Sequence, residues 1–101
     1  MKRLEAATAT SRVEYCWDST ATSVRITVVN ASGNVEQVDN RKPNQCYSPG
    51  KFRGGQPVSL SVQSNDDTST TVTCEIKIGG TVAETATSSG TYTVALCAGA
   101  A

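Results

Sequence analysis

The stretch 70-TTVTCEIKI-78 decides the fold of this chain. Every second residue in it is apolar or cysteine, and a period of two predicts a β-strand with one buried face. Gly79 and Gly80 follow, and two glycines between such runs predict a tight hairpin, because glycine adopts positive φ angles without steric cost. Residues 81–87 form the returning strand of this hairpin. The predicted inner face of the first strand comprises Val72, Cys74, Ile76 and Ile78.

The same alternation recurs along the chain, separated by turn residues about every 8–12 positions, which is typical of an immunoglobulin-like sandwich. Residues 39–55 interrupt it, and we expect an irregular, Pro- and Gly-rich excursion there with one short strand around 45–48. In the last strand, we expect Tyr92, Val94 and Leu96 to face inward. The sequence therefore predicts an all-β, antiparallel β-sandwich of about seven strands. The further predicted strands are 12–17, 23–29, 35–38, 57–63 and 92–97.

Composition limits the function. The 101 residues include nine Lys and Arg, nine Asp and Glu, and no His. A balanced charge argues against a nucleic-acid partner, which requires a basic excess to neutralise phosphates. Without histidine the chain lacks the commonest general base and metal ligand. We therefore predict a non-enzymatic protein with no cofactor and no metal site, and with no membrane span, because no apolar run of about 18 residues occurs.

Size predicts one domain, with boundaries set by the first and last regular strands. We place the sandwich at residues 12–98, a flexible polar lead-in at 1–11 and a short tail at 99–101. The first residues, MKRLEAATAT, carry a charged start but no apolar core, so they do not resemble a signal peptide. We expect that a leader or anchor has been removed ahead of them.

The four cysteines predict two disulfides and an oxidising, extracytoplasmic location: secreted, periplasmic or in the cell envelope. Four cysteines allow three pairings, and the sequence alone does not select one. We favour Cys74–Cys97, which ties the long strand to the last, and Cys16–Cys46, which ties the first strand to the excursion. Cys97 is out of phase with Tyr92, Val94 and Leu96, so this choice requires a bulge or the end of the strand.

Four of the basic residues fall within the excursion, beside two aromatic residues. Such a cluster predicts a cationic, partly aromatic binding face for an acidic protein surface, an anionic lipid head group or a siderophore. The alternative interpretation is a solvated loop whose charges only maintain solubility. The residues of the predicted face are Arg41, Lys42, Tyr47, Lys51, Phe52 and Arg53.

The aromatic residues Tyr15, Trp17 and Tyr47 allow two interpretations. They could line an apolar groove near Cys46. We favour the alternative, in which Trp17 is a core residue packed on a disulfide, an arrangement that is common in sandwiches.

Residues 72–84, VTCEIKIGGTVAE, resemble the soluble domain of the mycobacterial membrane protein small (MmpS) family. The C-terminal half of that domain runs as a Cys-containing strand, a tight turn, a second strand, a small-residue turn and a last strand that ends in Cys. The order and spacing of segments carry the resemblance, which covers residues 12–97. The other segments that fit the family's order are 13–15, 32–40, 88–92 and 94–97.

Members of that family are small envelope proteins that accompany lipid and siderophore exporters of the resistance–nodulation–division (RND) class. The resemblance implies an extracytoplasmic accessory domain that binds such a transporter. Two features depart from the family pattern: its membrane helix has no counterpart in these 101 residues, and Cys16 and Cys46 are additional, which supports pairing them with each other. The alternatives are a small-molecule carrier, similar to enediyne-binding apoproteins, and a phage or cell-surface structural or adhesion domain.

Overall fold

The computed structural model describes residues 10–101, which form eight β-strands. The strands pair in two antiparallel sheets of four, as alternating sequences with one buried face require. Sheet A has the order β4-β1-β6-β7 and sheet B the order β3-β2-β5-β8. The strands are β1 (Thr10–Ser19), β2 (Val24–Val29), β3 (Val35–Arg41), β4 (Gln45–Arg53), β5 (Pro57–Ser64), β6 (Thr70–Ile78), β7 (Thr81–Gly90) and β8 (Val94–Ala100).

The two sheets stack face to face, so β7 packs against β8 along one side of the sandwich. On the opposite side, β3 and β4 are linked by a hydrogen bond from the Tyr47 hydroxyl to Glu36 Oε1, 3.4 Å long. Each sheet therefore has two edge strands, and these four edges leave unpaired backbone groups along both sides of the domain.

Small and β-branched side chains fill the space between the sheets, as the composition predicts. Val72, Cys74 and Ile76 are fully buried on β6, and the Gly79-Gly80 turn has φ angles of 61° and 84°, which confirms the predicted hairpin. Tyr15 joins the sheets, because its hydroxyl donates to the Val29 carbonyl at 2.6 Å and accepts from the Ser59 amide at 3.3 Å. Trp17 is 3% exposed and lies in the core beside its cross-strand partner Cys74, as we favoured.

The prediction of seven strands is wrong, and eight are present in residues 10–101. The additional element is β4, which continues from Gln45 to Arg53 through a segment that we expected to be mostly irregular. Pro49 is tolerated because β4 is an edge strand with one open side. A register shift between Val13 and Tyr15 of β1 accommodates one extra residue of β4, and Gly50 adopts a φ of 116° there.

The predicted phase of the last strand is also wrong. Tyr92, Val94 and Leu96 are 54%, 45% and 61% exposed, whereas Ala95 and Cys97 are buried. Cys97 must face inward to reach Cys74 on the opposite sheet, and this disulfide sets the phase of β8. The larger apolar residues are consequently left on the outer surface, and no bulge is needed.

The boundaries of the domain extend slightly beyond the predicted ones. β1 begins at Thr10, so residues 10 and 11, which we assigned to the lead-in, belong to the first strand. The rest of the predicted lead-in lies outside the described residues. β8 continues to Ala100, and the Ala101 amide donates to the Gln56 carbonyl at 2.8 Å, so the predicted tail is part of the sheet. No helix in residues 10–101 is long and apolar enough to cross a membrane.

Candidate binding surfaces

The basic residues that we grouped on one binding face lie at two ends of the sandwich. Arg41 ends β3 and Lys42 follows it, before the chain crosses to the other sheet. Lys51 and Arg53 lie at the far end of β4. Because β4 is extended over nine residues, roughly 25 Å separate its two ends. The predicted continuous cationic loop is therefore absent from the described residues.

The aromatic part of the predicted face is not on the surface. Phe52 is fully buried, so its assignment to the binding face is wrong. Its ring meets Tyr15 edge-on, with centroids 6.4 Å apart and planes at 84°. Tyr47 is half-buried and packs against the same core. Alternation explains this outcome, because the part of β4 beyond the register shift turns Phe52 inward and its neighbours Lys51 and Arg53 outward.

The structure brings a third cation to the end of β4. Arg12 on β1 is the cross-strand partner of Lys51, and both are exposed on the outer face of sheet A. Arg53 lies two residues further along the same face. None of the three forms an ion pair within residues 10–101, where the ion pairs are Arg25–Asp39 and Lys77–Glu75. We call Arg12, Lys51 and Arg53 the cationic end.

A cleft of about 680 Å³ adjoins the cationic end, and Lys51 and Arg53 line it together with the turn between β4 and β5. Gln56 holds this turn in place: its Oε1 accepts from the Arg53 amide at 3.0 Å, and its Nε2 donates to the Ala31 carbonyl at 2.7 Å. Gly55 adopts a φ of 84° in the turn. The cleft therefore has two exposed cationic side chains beside a turn that hydrogen bonds hold in place, which suits an anionic group.

The other pair of cations is used within the fold. The Trp17 indole Nε1 donates to the Lys42 carbonyl at 2.8 Å, and the Arg41 guanidinium lies 6.0 Å from the Trp17 ring centroid. These contacts close the end of the sandwich over Trp17, with a cation–π contribution from Arg41. Arg41 is half-buried, and only the exposed Lys42 side chain is available to a partner there.

The two titratable groups with shifted pKa values, Asp39 and Tyr15, also have structural roles. Asp39 accepts hydrogen bonds from Asn65, from the Asn40 amide and from Arg25, and these, in that order, lower the pKa of its carboxyl. Burial raises the pKa of the Tyr15 hydroxyl, partly offset by the Ser59 amide that donates to it. Neither group lines the cleft beside the cationic end, and hydrogen bonds within the fold account for both.

The two disulfides have the pairing that we favoured, and they lie in different environments. Cys74–Cys97 joins β6 to β8 across the core, and both residues are buried. Cys16–Cys46 joins paired residues of β1 and β4 on the outer face of sheet A, where Cys46 is exposed. Glu14 lies beside this second disulfide, but oxidised sulfur provides no thiolate ligand for a metal.

The sequence prediction missed one surface, the outer face of β8. Val94 and Leu96 are exposed there, and Ala98 and Ala100 continue the same row without any charged residue. The sequence does show that an outer face of this strand would be apolar, because residues 94–100 are apolar or small at both the odd and the even positions. Alternation cannot identify the buried set in such a strand.

No protein-family model matches this sequence, and no curated protein matches it.

Proposed function

We propose that this chain is an extracytoplasmic accessory domain, MmpS-like in its role, which binds an acidic surface on the outer part of a lipid- or siderophore-exporting RND transporter. The observation that carries the proposal is the cationic end. Three cations on neighbouring strands project from one face without an ion pair among the described residues. Unpaired like charges raise the local positive potential, which attracts an acidic surface.

The frame that presents these cations suits an extracytoplasmic module. Two disulfides are typical of proteins that work in an oxidising compartment. Arg12, Lys51 and Arg53 project from regular paired strands, not from a long loop, so their spacing is fixed before a partner binds. A preformed cationic face suits an adaptor domain that binds an acidic surface.

Cross-linking in the native envelope, followed by identification of the linked proteins, tests this proposal. The variant Lys51→Glu reverses a charge at the cationic end, and Lys42→Glu reverses a charge that is also exposed, at the opposite end. We expect the wild-type chain and Lys42→Glu to link to a transporter of the RND class. We expect Lys51→Glu to reduce that link at least tenfold, and added salt to weaken it.

Two results would contradict the proposal. One is the absence of an RND transporter among the proteins linked to the wild-type chain. The other is an equal yield from both variants, which would show that binding does not involve the cationic end.

A second candidate function is carriage of an anionic small molecule, and the cleft beside Lys51 and Arg53 favours it. Its volume of about 680 Å³ lies within the usual range of small-molecule sites. Calorimetric titration of the purified chain with an anionic siderophore or with anionic lipid vesicles separates the two functions. Saturable binding of the siderophore that Lys51→Glu abolishes would favour the carrier.

A further inference from the structure

The four edge strands of the sandwich differ in how well they are protected against pairing with another strand. Native proteins protect edges with charged side chains, proline and bulges. Three of the edge strands pair with their neighbours through a register shift: β3 with β2, β4 with β1 and β7 with β6. The pairing of β8 with β5 runs through seven consecutive residue pairs without one.

Charge and proline show the same difference. β3 carries Glu36, Asp39 and Arg41, and β4 carries Lys51 and Arg53 together with Pro49. β7 carries Glu84, whose side chain reaches over Gly99 of β8. The sequence of β8, VALCAGA, contains no charged residue and no proline. Among the edges of residues 10–101, β8 alone has none of the three protective features.

We infer that β8 pairs with β8 of a second copy of this chain, antiparallel and about a two-fold axis, so that two four-stranded sheets become one sheet of eight. The available backbone groups support this, because alternate residues of an edge strand direct their amide and carbonyl groups away from the strand's neighbour. The proposed pairing uses none of the residues of the cationic end and does not depend on the proposed function.

The order of side-chain sizes along β8 favours a second copy over an unrelated strand. The larger side chains, Val94 and Leu96, lie in the first half, and the second half contains only Ala98, Gly99 and Ala100. An antiparallel pair centred on Cys97 sets Leu96 opposite Ala98 and Val94 opposite Ala100 of the second copy. Large residues then lie against small ones at every outward position, which is the complementarity that cross-strand pairs require.

Charge supports the same occupant. In a two-fold antiparallel pair, a charged residue near the centre lies close to its own copy, and like charges opposite each other are destabilising. Self-pairing of β3, β4 or β7 would bring acidic or basic residues of the paired strands near their copies, whereas β8 itself carries no charged residue. Burial of Val94 and Leu96, 45% and 61% exposed in the single chain, adds a hydrophobic contribution.

Sedimentation equilibrium of the full chain, from about 1 µM to about 1 mM, tests this inference, because weak interfaces of small area are populated in that range. We expect the wild-type chain to dimerise reversibly. Leu96→Lys should weaken dimerisation at least tenfold, since it removes an apolar contact and places two ammonium groups near the axis. The matched control is Val35→Lys, a change at a residue that is 68% exposed on β3, and it should leave the dimer unchanged.

A double variant tests the register. In the double variant Leu96→Lys with Ala98→Glu, the lysine of each copy lies opposite the glutamate of the other copy. We expect these two ion pairs to restore dimerisation relative to Leu96→Lys alone. A correctly folded state is checked in each variant by peptide mapping of the two disulfides. A monomer at all concentrations of the wild-type chain would overturn the inference and would favour a strand from a different protein. Equal loss of the dimer in Val35→Lys and Leu96→Lys would overturn it as well.

Discussion

β4 and β8 are edge strands on opposite sides of the same sandwich, and each holds one cysteine of a disulfide. β4 is bound within its own sheet, to β1, while β8 is bound across the core to β6 of the other sheet. β4 directs Phe52 into the core and Lys51 outward, whereas β8 directs Cys97 inward and Leu96 outward. The comparison shows that an edge protected by charge and proline suits contacts through side chains, while an edge without them suits strand pairing.

The largest expected difference between the two edges concerns their disulfides. Both close loops of similar size, with separations of 30 and 23 residues, so loop entropy contributes about 3–4 kcal/mol to either one. Cys74→Ala with Cys97→Ala also empties a buried site, so we expect a loss of about 5 kcal/mol. Cys16→Ala with Cys46→Ala should cost about 3 kcal/mol, because Cys46 is exposed. Urea unfolding measures both, and a larger loss from the second pair would contradict the account.

The apolar residues of the two edges give the next effect. Phe52→Ala removes a fully buried ring that contacts Tyr15, and we expect it to cost about 4 kcal/mol of unfolding free energy. Leu96→Ala on β8 removes an exposed side chain and should change the free energy by less than about 0.5 kcal/mol when the chain is monomeric. Denaturant titration at low protein concentration compares the two variants. Similar losses would show that Leu96 is buried in solution.

Removal of the Tyr15 hydroxyl should have a moderate effect on stability, because this group links β1 of sheet A to β2 and β5 of sheet B. Tyr15→Phe leaves the Val29 carbonyl and the Ser59 amide without this partner and should cost about 1–2 kcal/mol. Burial raises the pKa of the folded hydroxyl. The contribution of this hydroxyl to the free energy of unfolding is therefore complete below the ordinary tyrosine pKa, and it is lost as pH rises through the raised pKa of the folded state. Unfolding midpoints measured above about pH 9 should fall less steeply in Tyr15→Phe.

The smallest effect concerns Asp39 on the protected β3 edge. Hydrogen bonds from Asn65, Asn40 and Arg25 lower the pKa of this carboxyl in the folded state. The contribution of this carboxyl to the free energy of unfolding is present above the ordinary carboxyl pKa, and it is lost as pH falls through the lowered pKa of the folded state. Urea midpoints measured between about pH 2 and pH 5 should therefore depend less on pH in Asp39→Asn than in the wild-type chain. Equal pH dependence would contradict the assigned hydrogen bonds.

The sequence predicts the elements whose two faces differ in polarity. In β6, the inward positions Val72, Cys74 and Ile76 alternate with polar ones, and the prediction is confirmed. The favoured disulfide pairing is confirmed, although the predicted phase of the last strand counted against it by placing Cys97 on the outer face. In β8 the residues on both faces are apolar or small, so periodicity favours an inward position for the larger ones. Which face is buried follows instead from the disulfide between Cys97 and Cys74 on the other sheet.

The cationic end could be predicted only in part. Lys51 and Arg53 were identified from their spacing, but Arg12 joins them through strand pairing, which local sequence does not encode. Arg41 and Lys42 were grouped with them because Pro49 and the glycines suggested a loop. An edge strand accepts proline and a bulge, so the segment is extended and the two pairs separate.

The most direct test of the difference between the two edges is residue-resolved amide hydrogen exchange of the wild-type chain at low and high protein concentration. We expect alternate amides of β8, between Val94 and Ala100, to become at least tenfold slower to exchange at high concentration. The amides of β4 should exchange at the same rate at both concentrations. Slowing confined to β4, or no change in β8 up to about 1 mM, would contradict the assignment of β8 as the open edge.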